Sequence, residues 1–189
     1  MNWFKLLSYN INRVVTVDPA AHSKIEVLLL YPHIWALIFY RFAHFFYHLH
    51  CYFIARLISQ IARFLTNIEI HPGAEIGKGL IIDHGTGCVI GETTVIGDDC
   101  LLYHGVTLGG NARGKCKRHP TLLNHVMVGA NSSVLGNITI GSHSQIGANS
   151  VVTKDVPDHS VVYGLAAKVM ADNTPITDGP EEVNVNCCE

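Results

Sequence analysis

The chain has 189 residues, of which 48% are hydrophobic and 15% charged, with a formal net charge of −2 at pH 7. That length allows one domain with a sizeable core plus a small helical appendage, and the composition excludes a disordered chain. The near-neutral balance supplies no electrostatic footprint for nucleic acid.

The N-terminus, Met1-Asn-Trp-Phe-Lys5, lacks the basic region, apolar run and cleavage site of a signal peptide. Cysteines at 51, 88, 100, 116, 187 and 188 form no CxxC pair and no disulfide-like framework, which fits a reducing cytoplasm. Residues 1–16 show no clear period and are expected to hold a short helix. In Thr16-Val-Asp-Pro-Ala-Ala21, Asp18 is placed to cap a helix that starts at Pro19. The pattern predicts helices over 23–30, 33–48 and 52–66, broken at Pro32, with the last two packed as an αα-hairpin. The run Val27–Tyr40 is uncharged for 14 residues but contains Pro32 and His33 and stops at Arg41. A bilayer span needs about 20 apolar residues. A buried hairpin suited to a subunit interface is expected in its place. His44 and His48 share a helix face without an acidic or Cys partner and read as helix surface.

From Ile70 the period changes to six. Apolar residues recur at 70, 76 and 82; at 90, 96, 102 and 108; and at 122, 128, 134, 140, 146 and 152. Glycine follows directly at 77, 91, 97, 109, 129, 141 and 147. Each hexad is a short strand plus a turn, and three make one triangular coil of a parallel β-helix. Cys88 and Cys100 fall on the small inward positions and read as core. The rhythm breaks twice. Ile82 to Ile90 holds two residues more than a hexad, within Asp83-His-Gly-Thr-Gly87. Leu108 to Leu122 holds eight more, within the glycine-rich, basic run 109–120, which is expected to leave the coil as a loop. Both breaks are expected on neighbouring levels, and breaks in a scaffold repeat are where chemistry is to be sought. Three parts follow: a helical region at 1–67, the β-helix at 68–169, and a disordered acidic tail at 170–189.

The motifs Asp18-Pro-Ala-Ala, Tyr40-Arg-Phe-Ala-His44, Glu69-Ile-His-Pro72, Asp83-His-Gly-Thr-Gly87, Val89-Ile-Gly-Glu-Thr93, Gly105-Val-Thr-Leu-Gly-Gly110 and Lys117-Arg-His-Pro120 are similar, in this order, to those of the serine O-acetyltransferases. The resemblance spans about residues 16–169 and, with it, the hexapeptide-repeat acyltransferases. It implies an α+β fold: an N-terminal α-helical segment, then a left-handed parallel β-helix with a protruding loop. It also implies acetyl-CoA as co-substrate, no metal, L-serine as acceptor and O-acetyl-L-serine as product. Cysteine is implied as feedback inhibitor, and a homotrimer or dimer of trimers with sites at subunit boundaries as the assembly.

On that resemblance His84 is the general base, a task that suits an imidazole side chain. Glu69, one methylene longer than the family's aspartate, is expected to orient His84. Asp18 and Asp83 would hold the serine ammonium, and Arg118 the carboxylate. His119 would meet the carboxylate or the hydroxyl. Backbone N–H groups around Gly109 and Gly110 would line the thioester oxygen. Ala130, Ala148 and Lys154 would line the path of the coenzyme. His71 is expected to fix the turn before Pro72; His104 faces solvent or the site; His125, His143 and His159 read as surface. The ending Asn186-Cys-Cys-Glu189 lacks the family's terminal isoleucine, so little or no binding to O-acetylserine sulfhydrylase is expected. Competing readings are a sugar or xenobiotic O-acetyltransferase of the same fold, a γ-type carbonic anhydrase with zinc on His84, His104 and His119, and a non-catalytic β-helix.

Overall fold

A computed structural model describes residues 2–111 and 116–164. The proposed acidic tail and the last residues assigned to the β-helix lie outside them.

The N-terminal segment is firmer than its sequence suggests. Helix α1 runs Trp3–Val17, and the Asn2 side chain caps it by accepting the Phe4 N–H at 3.1 Å. No helix begins at Pro19, which corrects the reading of Asp18 as an N-cap. Asp18 instead closes α1, and its carboxylate accepts the Ala20 N–H at 2.8 Å in a local turn. The true start lies five residues on, where Ser23 and Glu26 form a box that varies the capping box by reaching back one residue further. Ser23 Oγ accepts the Glu26 N–H, and Glu26 Oε2 accepts the His22 N–H, each at 3.1 Å. Helix α2 then covers Lys24–Leu30, and Pro32 both ends it and opens α3, Pro32–His48. Helix α4, Tyr52–Thr66, packs on α3 and closes at Asn67 in the left-handed region. Among the described residues no single helix is long and apolar enough to cross a membrane; α2 and α3 reach that length and composition only together, bent by 67°. Within one chain, Phe53, Leu57 and Phe64 leave one face of α4 apolar and open.

Five coils of a left-handed parallel β-helix follow, built from hexapeptide repeats. The first coil holds β1 (Glu69–Ile70), β2 (Glu75–Ile76) and β3 (Ile81–Asp83). The second holds β4 (Val89–Ile90), β5 (Val95–Ile96) and β6 (Leu101–Tyr103). The third holds β7 (Thr107–Gly109), β8 (Thr121–Leu122) and β9 (Met127–Val128). The fourth holds β10 (Ser133–Leu135), β11 (Thr139–Ile140) and β12 (Gln145–Ile146). The fifth holds β13 (Val151–Val152) and β14 (Val161–Val162), with Val156 bridging to Ile140 between them. The first face stacks β1-β4-β7-β10-β13, the second β2-β5-β8-β11, and the third β3-β6-β9-β12-β14, all parallel.

Register follows the hexads. Ile70 pairs Ile90, Ile90 pairs Leu108 and Leu108 pairs Val134, so one inward column runs up the first face. The other faces stack in the same way. Cys88 and Cys100 are buried in this core, and burial pushes both thiols up to about 11. Corners turn through left-handed residues at His84, Asp99, His125, Asn131, His143, Asn149 and His159, residue types that tolerate positive φ. On the second-to-third corner His125, His143 and His159 form a stack, with ring centroids 4.6 and 5.0 Å apart.

The helices cap the first coil through its carbonyls. Tyr40 Oη donates to Ala74 O at 2.6 Å, Arg41 to Ile76 O at 2.7 Å and Ser59 Oγ to Ile70 O at 2.8 Å. Helix α1 docks by Arg13 and Tyr9 on Asp99. His33 is buried in this layer with Nε2 unpaired, and burial lowers its pKa to about 4.

Two outcomes are expected. Leu102→Ala, in the fully buried column, should cost about 2–5 kcal/mol in urea unfolding, while Val151→Ala, 70% exposed, should stay within about 0.5 kcal/mol. Because the folded pKa of His33 lies below its unfolded value of 6.5, the unfolded chain takes up the proton first. Stability is therefore lost as pH falls from 6.5 towards 4, by about 3 kcal/mol in full. His33→Gln should flatten that part of the stability–pH curve.

Candidate active site

The first break widens the third-to-first corner between the first and second coils. His84 (φ 57°) and Gly85 (φ 56°) take consecutive left-handed conformations there. A Cβ on Gly85 would overlap the Ile68 side chain, so only glycine fits. The turn is closed by Cys88 N–H on Gly85 O and Gly87 N–H on Asn67 O. The outcome is an imidazole held on a fixed corner yet open to solvent: the His84 side chain is 78% exposed. Asp83 Oδ1 lies 3.9 Å from His84 Nε2, and the His104 ring stands 6.3 Å from that of His84.

The α1–α2 turn brings Asp18 to the same corner. Its Oδ2 accepts the Tyr31 hydroxyl at 2.7 Å. That hydrogen bond, the Ala20 N–H and the nearby His84 hold the Asp18 carboxyl below its usual range. The same bond drives the Tyr31 phenol up to about 12, with Asp83 adding to the effect. Asp18 and Asp83 thus form an anionic patch beside His84.

The second break opens the first-to-second corner of the third coil. Its returning end, Lys117-Arg118-His119, is moulded on the turn below it, Gly91-Glu92-Thr93. Lys117 Nζ donates to Thr93 O at 2.6 Å, and Arg118 Nη2 meets Glu92 Oε2 at 2.8 Å. Thr93 Oγ1 accepts the N–H groups of Arg118 and His119 at 3.0 and 3.1 Å. The buried His119 ring lies over Gly91, where any Cβ would overlap it. Burial, then the Arg118 charge, lowers the His119 pKa. Tyr47 at the end of α3 donates to Glu92 Oε1 at 3.2 Å and ties this corner to the helices.

Glu69 belongs to this second cluster. Its carboxylate is held by Arg56 at 3.0 Å and Arg63 at 3.4 Å, both from α4. Arg56 lines a cavity of about 450 Å³ with Tyr47, Tyr52, His71, Pro72 and Glu92. His71 lies within electrostatic reach of Glu92, Arg56, His119 and Glu69, and burial lowers its pKa. His71 Nδ1 also accepts the Gly73 N–H at 3.1 Å, fixing the turn as the sequence suggests. Within one chain, among the described residues, the carboxylate in ion-pair range of His84 is Asp83, not Glu69.

The remaining candidates divide between the same two corners. Ala130 and Ala148 stand beside Asn131 and Asn149, one above the other over the His84 corner. The ladder Gly105 N–H to Thr86 O, Asn131 N–H to His104 O and Asn149 N–H to Ala130 O joins them. Gly109, Gly110 and Lys154 fall on the Arg118 corner. Gly110 packs on the Arg118 side chain, and Lys154 lines a cavity of about 290 Å³ at the last coil. The two breaks thus flank the first face from opposite edges and do not meet within one chain. His84 and His104 are neighbours while His119 is on the other corner, and no group of three or more His, Cys, Asp or Glu is placed to hold a metal among the described residues.

Tyr31, Tyr47, Glu92 and Thr93 were not legible as site residues from the hexad pattern. Glu92 and Thr93 occupy the turn of an unbroken hexad, and the signal for them was their place directly below an inserted loop. Tyr31, at the α2–α3 junction, and Tyr47, in α3, come from a helical layer whose docking the sequence does not encode locally.

Residues 119–154 match the bacterial transferase hexapeptide family (six repeats). The chain is 60% identical to the serine acetyltransferase of Helicobacter pylori over 164 residues, 87% of this chain and 96% of that protein. Among solved structures it superposes on Entamoeba histolytica serine acetyltransferase isoform 3 in complex with cysteine, with TM-score 0.85 and 39% identity over 90% of this chain and 61% of that one. It also superposes on the Neisseria gonorrhoeae serine acetyltransferase in complex with serine, with TM-score 0.82 and 39% identity over 88% and 68%.

Gly91→Ala should push the His119 ring off its seat. The expected result is a loss of about 1–3 kcal/mol in unfolding free energy with the coil intact by circular dichroism, and displaced His119 resonances in NMR.

Proposed function

The chain belongs to the serine acetyltransferase family, and we propose that it transfers the acetyl group of acetyl-CoA to the hydroxyl of L-serine, giving O-acetyl-L-serine for cysteine biosynthesis. One observation carries this reading. Two clusters of opposite chemistry flank the same face: the acids Asp18 and Asp83 beside His84, and the cations Arg118 and Lys117 beside His119. A zwitterionic amino acid needs both.

The site is completed between subunits of a homotrimer, with the His84 corner of one against the Arg118 corner of the next. Asp18 and Asp83 bind the ammonium group, and Arg118 binds the carboxylate by charge-assisted hydrogen bonds. The serine hydroxyl then points to His84. His84 takes the hydroxyl proton as the oxygen attacks the thioester carbonyl. Glu69, at the start of β1 and held from α4 by Arg56 and Arg63, meets the His84 imidazole across the boundary and steadies the imidazolium. Backbone N–H groups at Gly109 and Gly110 stabilise the oxyanion. His84 returns its proton to the departing thiolate, so the cycle ends with the base regenerated. Ala130 and Ala148, stacked above His84, leave a small-residue path for the coenzyme, with Lys154 at its far end for the phosphates. Cysteine presents the same ammonium and carboxylate to the same residues, which makes it an inhibitor at the serine site.

The test is release of free thiol from acetyl-CoA on addition of L-serine, suppressed by cysteine, with Asp18→Ala lowering kcat/KM at least about 100-fold. Little change in Asp18→Ala, or equal rates on simple sugars, would favour a sugar acetyltransferase. His84→Ala and Arg118→Ala should each be inactive alone. Unfolded and refolded together, they should recover roughly one quarter of the sites, those pairing an intact His84 corner with an intact Arg118 corner. No recovery would sink the shared site.

A further inference from the structure

His119 and His84 stand in opposite hydrogen-bonding situations. The Thr93 backbone N–H points at His119 Nδ1, 3.2 Å away. A backbone N–H can only donate, so Nδ1 must present its lone pair. Thr93 Oγ1 lies 2.9 Å from the same nitrogen. Its lone pairs already accept the N–H groups of Arg118 and His119 at 3.0 and 3.1 Å. The one capacity left to that hydroxyl is its own proton, and Nδ1 is the acceptor it faces. Two donors therefore converge on one ring nitrogen, and an Nδ1–H would clash with both. The proton of the neutral ring is left on Nε2, at the edge over Gly91. Arg118, next in the chain, and burial both oppose a second proton. Among the described residues no such pair of donors meets His84: the carboxylate in ion-pair range is that of Asp83, and the side chain is open.

We propose that Thr93 fixes His119 as the Nε2–H tautomer, so that His119 serves the reaction as a neutral hydrogen-bond donor to a negatively charged substrate oxygen and not as a base. Thr93 is then a positioning residue, acting through His119. The functional half of this inference rests on the serine acetyltransferase reading; the tautomer does not.

The experiment uses the full chain labelled with ¹⁵N at histidine. Long-range ¹H–¹⁵N correlation, without substrate, should show an Nε2–H pattern that disappears in His119→Gln. Thr93→Val keeps the shape and the backbone N–H but removes the hydroxyl donor; it should leave Nε2–H the major tautomer of His119, raise the minor Nδ1–H share and lower kcat, with the KM for acetyl-CoA within about twofold. Thr93→Ser should restore the single tautomer and the rate. In the kinetic arm, His119→Ala should lose about 100-fold or more in kcat. His119→Gln, which can place an amide N–H near the position of Nε2, should recover at least about tenfold of that loss. An Nδ1–H pattern in the wild-type protein, an unaltered tautomer and rate in Thr93→Val, or equal loss in His119→Ala and His119→Gln would overturn the proposal. A wild-type protein that shows the tautomer but transfers no acetyl group to serine would overturn the functional reading alone.

Discussion

Everything in the β-helix depends on aliphatic side chains standing in register from coil to coil. Strands of two or three residues are too short to be stable alone. Each is held by parallel hydrogen bonds to the coil above and below and by a column such as Ile76, Ile96, Leu122 and Ile140, all buried. One extra residue inside a strand would turn that column outwards. Insertions are tolerated only at corners, where the chain has left the ladder. Both breaks of the hexad rhythm sit at corners for this reason, and they carry His84, Arg118 and His119.

The second constraint is that the charged groups of the site already have fixed neighbours. Tyr31 holds Asp18, Glu92 holds Arg118, and Arg56 and Arg63 hold Glu69. These groups are partly exposed, and pairs of that kind add little to stability. Their worth is geometric. A side chain already aimed loses less rotamer entropy when a substrate arrives, and small errors of aim are costly in rate. Helices α3 and α4 serve the same end. Tyr47 and Arg56 reach from them into the Arg118 corner, so the helical cap both closes the first coil and sets the site.

The repeat was legible because inward position, glycine and small residue recur at a fixed step, and each is dictated by local sterics. Helices α2 to α4 were legible from their period and from Pro32. The start at Pro19 was misread because Asp-Pro is a good N-cap pair in isolation, while the Ser23–Glu26 box, satisfying two donors, wins in the folded chain. Asp83, His84, Arg118 and His119 were found because they interrupt a period. What the sequence could not carry was which corner each break occupies. That depends on counting faces: two residues added after the third face and eight after the first place the breaks on opposite edges of one sheet. The histidine stack at 125, 143 and 159 escaped for a related reason: residues 16 or 18 apart become neighbours only once the coil closes.

That corner arithmetic bears on assembly. The two half-sites lie at the ends of a face several residues wide, at about 3.3 Å per residue, and a single amino acid does not bridge that width. On the proposed reading, contact between chains brings unlike corners together, the His84 edge of one to the Arg118 edge of another. Such a contact is heterologous, and a heterologous contact either closes into a ring or propagates as a filament. The cross-section is a triangle of three faces, and a threefold ring lets each prism offer two of its corners to its neighbours and keep the third free. The third corner here is the second-to-third one, which carries the histidine stack and the docking site of α1 on Asp99. It carries none of the residues to which a role is given. The distribution of chemistry over the three corners thus matches the closed trimer of the proposed reading.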